Sequence, residues 1–137
     1  MPKTFSHTVR VYWSDVDPAG VIYFPHYFRY FDDTEAEFFR SLSGKSREQL
    51  LTEAKIWLPR VEVHCRYLKL VRVDDELRIA LAISEVRDKS ITFKFETFRG
   101  KVKTCEATYT VVTIDNRTFK ACAIPKRFRK LLAPYAP

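Results

Sequence analysis

The sequence predicts an α+β fold in which a five-stranded antiparallel sheet packs on one long helix. Three observations carry this expectation. The apolar period changes from two to between three and four near Phe24 and returns to two after Ile56. The late strand patterns are joined by the short polar segments VRVDDE, RDK and RGK, which favour antiparallel hairpin neighbours. Only three glycines occur, Gly20, Gly44 and Gly100, and no Pro/Gly/Ser-rich linker or internal repeat divides the chain, so residues 1–137 read as a single domain.

The elements follow in order. From Phe5 to Trp13, Val9, Val11 and Trp13 alternate with Thr8, Arg10 and Tyr12, the pattern of a half-buried strand. The stretch SDVDPAG then breaks the strand, because Asp-Pro and Ala-Gly favour a turn. From about Phe24, Tyr27, Phe28, Phe31, Glu35, Phe38, Phe39 and Leu42 recur at helical spacing, with Pro25 suited to the first helical position. This apolar stripe is wide enough to lie on a sheet over roughly 26 Å of helix. A short helical stretch at Arg47 to Ala54 precedes four strand patterns, Ile56 to Leu70, Glu76 to Arg87, Ser90 to Arg99 and Val102 to Ile114. Within them Val61, Val63, Cys65 and Tyr67 alternate with polar residues, as do Leu77, Ile79, Leu81 and Ile83, then Ile91, Phe93 and Phe95. The segment IPKRFRKLL closes the chain as a short basic helix, and the whole is one helix layered on one sheet.

Composition narrows the class. The 137 residues suffice for one core, and 46% apolar, 15% aromatic and 30% charged residues exclude disordered and collagen-like chains. No apolar run approaches the roughly 20 residues of a membrane span. The start MPKTFSHTVR lacks the apolar stretch of a secretory signal, so a soluble, cytoplasmic protein without membrane insertion is expected. Cys65, Cys105 and Cys122 are widely spaced with no CxxC pair, which fits reduced thiols and no metal site. Against 17 acids stand 24 Lys and Arg, a net charge of +7, which favours anionic partners: nucleic acid, an anionic membrane surface or a phosphate-rich cofactor.

Asp17 ends a strand-to-helix turn just before the long helix. A helix N-terminus offers unpaired N–H groups and the positive end of the dipole, where a carbonyl oxygen can be polarised. A carboxylate facing that carbonyl can attack it or activate water against it. The same spacing fits a second reading, in which Asp17 or Asp15 stabilises the turn through local side-chain-to-backbone bonds.

The run WSDVDPAGVIYFPHYFRYFDD resembles the signature of the 4-hydroxybenzoyl-CoA thioesterase family of hotdog-fold enzymes, acyl-CoA thioesterases in which an Asp-x-Asp-Pro-Ala-Gly turn enters a long central helix wrapped by the sheet. The resemblance continues through Pro59, the turn at Val73 to Leu77, the hairpin at Glu85 to Ser90 and the IPKRF segment, almost the whole chain. It implies that Asp17 is the catalytic carboxylate and that the Phe24 backbone N–H is the oxyanion donor. One branch, associated with the Tol-Pal system of the bacterial cell envelope, has a His where this chain has Phe24, a departure from that branch's chemistry. His26, two positions on, reads as polar surface at the helix start. The resemblance further implies an acid at Asp32 facing a phenolic hydroxyl of the substrate, and an acyl pocket lined by Tyr23, Tyr27 and Trp57, although core packing explains such aromatics equally well. Arg87 and Lys89 match a basic loop that holds coenzyme A phosphates, with Asp88 removing part of the family's positive charge there. Lys126, Arg127, Arg129 and Lys130 either join those phosphates or face solvent.

The implied reaction is hydrolysis of an acyl-CoA thioester to acid and free coenzyme A, without metal or redox cofactor, coenzyme A being part of the substrate. Self-association to a dimer or homotetramer is expected, because the family completes its groove by pairing sheets edge to edge. Two other functions share the sequence features. A thioesterase acting on acyl carrier protein would use the same chemistry with a protein-docking surface. A non-enzymatic anion-binding or nucleic-acid-binding module would use the charge alone, but the chain lacks the interleaved aromatic and basic signature of common RNA-binding folds, so no nucleic-acid partner is expected.

Overall fold

The computed structural model describes residues 1–137. Strand β1 (Phe5–Arg10) is followed by helices α1 (His26–Ser43) and α2 (Arg47–Ala54) and a two-residue strand β2 (Ile56–Trp57). Strands β3 (Arg60–Tyr67), β4 (Glu76–Val86), β5 (Ser90–Arg99), β6 (Val102–Val112) and β7 (Ile114–Asp115) come next, and helix α3 (Lys126–Leu132) closes the chain. Five strands form one sheet in the order β1-β4-β5-β6-β3, every neighbour antiparallel. The expected helix-on-sheet arrangement is therefore present. No helix is long and apolar enough to cross a membrane.

The alternation read in the sequence sets the inner face. Leu77, Ile79, Leu81 and Ile83 of β4, Ile91, Phe93 and Phe95 of β5, and Cys105, Ala107, Tyr109 and Val111 of β6 are all buried, facing α1. From α1 come Phe31, Phe38 and Phe39, and the Phe31 and Phe95 rings lie 4.9 Å apart. Burying each such ring is worth roughly 1.5–3 kcal/mol. The helix is 18 residues long, about 27 Å. It ends at Gly44, whose φ of 72° permits the left-handed cap that donates its N–H to Arg40 O. Ser46 caps α2 in a reciprocal pair with Gln49.

Four boundaries differ from the sequence expectation. The strand expected from Val102 to Ile114 breaks at Thr113, whose N–H donates to Lys89 O and whose carbonyl accepts from Cys122 N–H. β1 stops at Arg10, and Trp13–Asp15 form one turn of 3-10 helix in which Trp13 is 80% exposed. The cause is the Asp15 carboxylate, which accepts the Tyr12 N–H and draws the strand end into a turn. α1 begins at His26 because Pro25 takes the cap position. The strand expected from Ile56 to Leu70 is split at Leu58–Pro59, since Pro59 has no N–H to continue the ladder. β2 pairs instead with β7. In β3 the alternation in sequence does not become a buried face: Val61, Val63 and Tyr67 stay 59%, 42% and 45% exposed and only Cys65 is half-buried. β3 has one neighbour, β6, so its inward side lies at the uncovered edge of the sheet.

Glu35, read from its spacing as part of the apolar stripe, is 1% exposed at its side chain and meets Arg47 of α2 at 3.3 Å and Arg60 of β3 at closer range. Arg47 also grips Asp32 at 2.8 and 3.1 Å. Burial pushes the Glu35 carboxyl up against the pull of Arg60 and Arg47. This cluster joins α1, α2 and the edge strand. Replacing Glu35 by Ala leaves both guanidinium groups to Asp32 alone and should cost about 3 kcal/mol in urea unfolding at neutral pH. Glu35→Gln, which keeps an acceptor, should cost less.

Candidate active site

The segment between β1 and α1 is a tight hairpin. Asp17 N–H donates to Val21 O, Gly20 N–H to Asp17 O and Tyr23 N–H to Asp15 O, each at 2.9 Å. Val16 and Ile22 form an antiparallel bridge. Gly20 closes the turn at φ 78°, a conformation costly for any residue with a Cβ. The hairpin is fastened to the segment before β4 by Ile22 N–H to Val71 O and Val73 N–H to Gly20 O.

The two aspartates of this hairpin have different surroundings. Asp15 is fully buried. One of its oxygens accepts from Tyr12 N–H and Tyr30 Oη, both at 2.9 Å, and the other from the Arg29 guanidinium. Burial by itself would raise its pKa, but the Tyr12 N–H, Arg29 and Tyr30 together hold the carboxyl below the usual carboxylate range. Asp15 is thus the anchor of the turn. Asp17 is partly exposed in an open groove of about 330 Å³ with Trp13, Val16, Pro18 and Gly20. Its Oδ1 accepts the Ala19 N–H at 2.9 Å, and its other oxygen has no partner.

Where the chain enters α1, Ile22, Tyr23, His26, Tyr27 and Phe28 all donate their N–H groups to backbone carbonyls. Pro25 has no N–H, which leaves the Phe24 N–H as the one unclaimed donor of this stretch. It stands at the positive end of α1. The hairpin and its exit thus offer a carboxylate oxygen and a backbone donor that are both free, the pair needed for reaction at a carbonyl.

The other sequence-derived candidates are distributed as follows. Tyr23 is exposed and packs edge-on against Phe24 and His26. Tyr27 is buried, stacks on Phe31 and reaches Thr104 with its hydroxyl, so its first role is in the core. Asp32 is bound by Arg47 and Arg60, and the Arg47 hydrogen bond holds its pKa down against partial burial. Trp57, on β2, lies at the Arg60 end of β3, whereas the Phe24 carbonyl meets Tyr67 at the other end. Arg87 and Lys89 lie at the hairpin after β4, whose 11 residues set them about 33 Å from the strand end beside Asp17. Arg87 is paired with Glu85 at 2.8 Å, and Arg129 of the C-terminal helix donates to Arg87 O at 2.7 Å. One chain therefore does not bring Arg87, Lys89 and Trp57 together with Asp17.

Two groups escaped the sequence reading. The Arg29 and Tyr30 ligands of Asp15 carried no signal, because spacing on a helix does not reveal which turn packs on it. Lys69, Arg72 and Arg99 line a groove next to the Asp17 hairpin, and they are scattered along the chain with no local motif.

Residues 11–132 match the family described as the thioesterase-like superfamily. The chain is 30% identical over 125 residues to the acyl-CoA thioesterase YbgC of Haemophilus influenzae, covering 91% of each sequence. Among solved structures it resembles a Staphylococcus aureus protein in complex with CoA, at a TM-score of 0.89 and 20% identity, over 100% of this chain and 88% of that one. It also resembles an aspartate-to-asparagine mutant of 4-hydroxybenzoyl-CoA thioesterase complexed with 4-hydroxybenzoyl-CoA, at a TM-score of 0.85 and 23% identity, over 93% of this chain and 97% of that one. The fold is therefore the hotdog.

The contrast between the aspartates is testable through stability. Asp15→Asn keeps an acceptor for Tyr12 N–H but loses the charge facing Arg29 and should cost about 1–3 kcal/mol at neutral pH; Arg29 is half exposed, which favours the lower part of that range. Because the folded pKa of Asp15 lies below its unfolded value, its contribution is complete above the unfolded pKa. It is lost as pH falls through the folded value. Acid titration followed by circular dichroism should show a shallower stability loss below about pH 4 in Asp15→Asn than in the parent.

Proposed function

Because the chain belongs to the thioesterase-like superfamily, we propose that it hydrolyses acyl-CoA thioesters, with Asp17 as the reacting carboxylate and the Phe24 N–H as the oxyanion donor. The observation that carries this reading is the pairing of an unclaimed Asp17 oxygen with an unclaimed N–H at the start of α1. The thioester carbonyl oxygen accepts from Phe24 N–H, and the helix dipole favours the negative charge that develops there. Asp17 then acts by one of two routes. It attacks the carbonyl carbon, expelling the coenzyme A thiolate and leaving a mixed anhydride for water to hydrolyse, or it takes a proton from the water that attacks. Both routes end in one carboxylic acid and one thiol for each water consumed, and neither calls on a metal or redox cofactor.

The acyl group in this reading passes Tyr23 and Tyr27. A complete site also draws on a second copy. β3 is an edge strand with unpaired backbone groups and exposed Val61, Val63 and Tyr67, a surface suited to pairing with another strand. Antiparallel pairing of two β3 strands sets the Arg60 end of one beside the Tyr67 end of the other. Trp57 and the Arg87–Lys89 hairpin of one chain then lie at the end of the sheet that carries the other chain's Asp17. Asp32, already neutralised by Arg47 and Arg60, serves as a wall of that pocket.

Asp17→Asn should lower kcat on an acyl-CoA by at least about 100-fold, because the amide can neither attack nor take up a proton. Its melting temperature should stay near the parent's, since Asp15 holds the turn. Hydrolysis at the parent rate would refute the mechanism.

Light scattering should give a mass at least twice the 16.2 kDa of the chain, and Val61→Lys/Val63→Lys should yield an inactive monomer. A fully active parent monomer would exclude the shared site.

A further inference from the structure

We infer that Cys65 and Cys105 form an oxidation site: a peroxide converts this thiol pair to a disulfide, and the new bond, close to the start of α1, slows the proposed hydrolysis. Only the effect on hydrolysis rests on the thioesterase reading.

The two sulfurs lie 3.5 Å apart, in hydrogen-bond contact. Cys65, Cys105 and Cys122 are all free, so the pair stands in its reduced form. In the antiparallel β3–β6 ladder Cys65 is opposite Ala107 and Cys105 is opposite Tyr67. The cysteines are thus diagonal neighbours on one face of the sheet, within reach of each other's side chains. Diagonal neighbours stand farther apart at Cα than most bridged cysteines, so closing the bond draws one strand towards the other. β3 is the strand free to move, because β6 is its one ladder partner, whereas β6 is held between β3 and β5.

The two thiols differ as a two-step oxidation requires. Cys65 is half-buried on the edge strand, and Cys105 is fully buried. The Cys105 hydrogen bond, helped by Tyr67, holds the Cys65 thiol below its ordinary range against the effect of burial. The same contact, together with burial, pushes the Cys105 thiol up. Cys65 is therefore the thiolate that meets the oxidant, and Cys105 the thiol that completes the bond.

In the first step the Cys65 sulfur attacks one peroxide oxygen and the O–O bond breaks. A sulfenic acid forms on Cys65, and the other oxygen leaves as water or an alcohol with the proton that Cys65 gave up. The Cys105 sulfur then attacks the sulfenic sulfur. The S–O bond breaks, and its oxygen leaves as water with the Cys105 proton. Two thiols become one disulfide, and one peroxide takes up the two electrons.

Tyr67 links this site to the reactive end of the chain. It follows Cys65 by two residues on β3, its hydroxyl lies 3.5 Å from Phe24 O, and its ring packs against Phe24 and Tyr27 at 5.9 and 5.6 Å. Drawing Cys65 towards Cys105 shifts Tyr67 against Phe24, the residue that carries the unclaimed N–H.

Cys122→Ser, which leaves only this pair, is exposed to hydrogen peroxide, denatured, alkylated and measured by intact-mass spectrometry. The expected result is a loss of about 2 Da, two hydrogens, with both cysteines protected from alkylation and the change reversed by dithiothreitol. Peptide mapping should place the link between Cys65 and Cys105. Cys65→Ser and Cys105→Ala in the same background should each abolish the loss, with thermal melting to show that they fold; one folded variant is enough for the comparison. Hydrolysis of an acyl-CoA should fall by at least about fivefold on oxidation, recover with dithiothreitol, and stay constant under peroxide in the Cys65→Ser variant. Oxidation that only adds oxygen to one cysteine, or a disulfide joining two chains, overturns the site. A Cys65–Cys105 disulfide with the rate unchanged overturns its control of hydrolysis. If the parent hydrolyses no thioester, the thioesterase reading fails, and the mass measurement still decides the oxidation site.

Discussion

A buried carboxylate organises the functional end of this molecule. Asp15 has no exposed surface, and a charge in that position is tolerable only with full hydrogen bonding. Its donors come from the end of the first strand, through Tyr12, and from the first turns of α1, through Arg29 and Tyr30. Satisfying Asp15 therefore fixes strand and helix relative to each other. The hairpin between them is left with its second aspartate facing out, and the Phe24 N–H is left without a carbonyl to bond. An unpartnered oxygen at Asp17 and rigidity at Asp15 are two results of one arrangement.

The same helix is tied at its middle by a second set of charges. Glu35 and Asp32 on α1 meet Arg47 from α2 and Arg60 from the edge strand. Neutral as a group, the cluster holds β3 against the helix although only β6 pairs with it. β3 consequently presents an ordered edge with apolar side chains in the open, a surface that a second copy would cover. That edge also divides the molecule, with the Asp17 hairpin and the Lys69–Arg72–Arg99 groove at one end and Trp57, Arg87, Lys89 and the basic C-terminal helix at the other. A dimer paired through β3 would unite the ends, so the question of which cations meet the substrate phosphates becomes a question of which chain supplies them.

The excess of positive charge acquires meaning only in this geometry. Much of it is spent locally: Arg87 on Glu85, Arg47 and Arg60 on the acidic pair of α1, Arg127 on Glu53. Lys69 and Arg72, beside the Asp17 hairpin, have no such partner. Net charge states an affinity for anions in general, and pairing decides where an anion is favoured.

Periodicity determined the helix, the inward faces of β4, β5 and β6 and the antiparallel hairpins, because these depend on residues near one another in the chain. The run containing Asp17 carried the family resemblance and drew attention to Phe24 for the same reason, since a turn and the helix start behind it are local structures. Tertiary structure decided the rest. Pro59 and Thr113 split strands that looked continuous, according to where the ladder lost or redirected its hydrogen bonds. Glu35, apolar by spacing, became the centre of an ion cluster because Arg47 and Arg60 arrive from other elements. Spacing leaves Asp15 and Asp17 alike, the resemblance singles out Asp17, and only the structure shows that Asp15 is the buried one. Lys69, Arg72 and Arg99 share no motif, and they meet because a loop before β4 and the end of β5 close on one another. Local spacing encodes conformation, whereas burial and charge pairing depend on contacts between distant residues that exist only once the chain has folded.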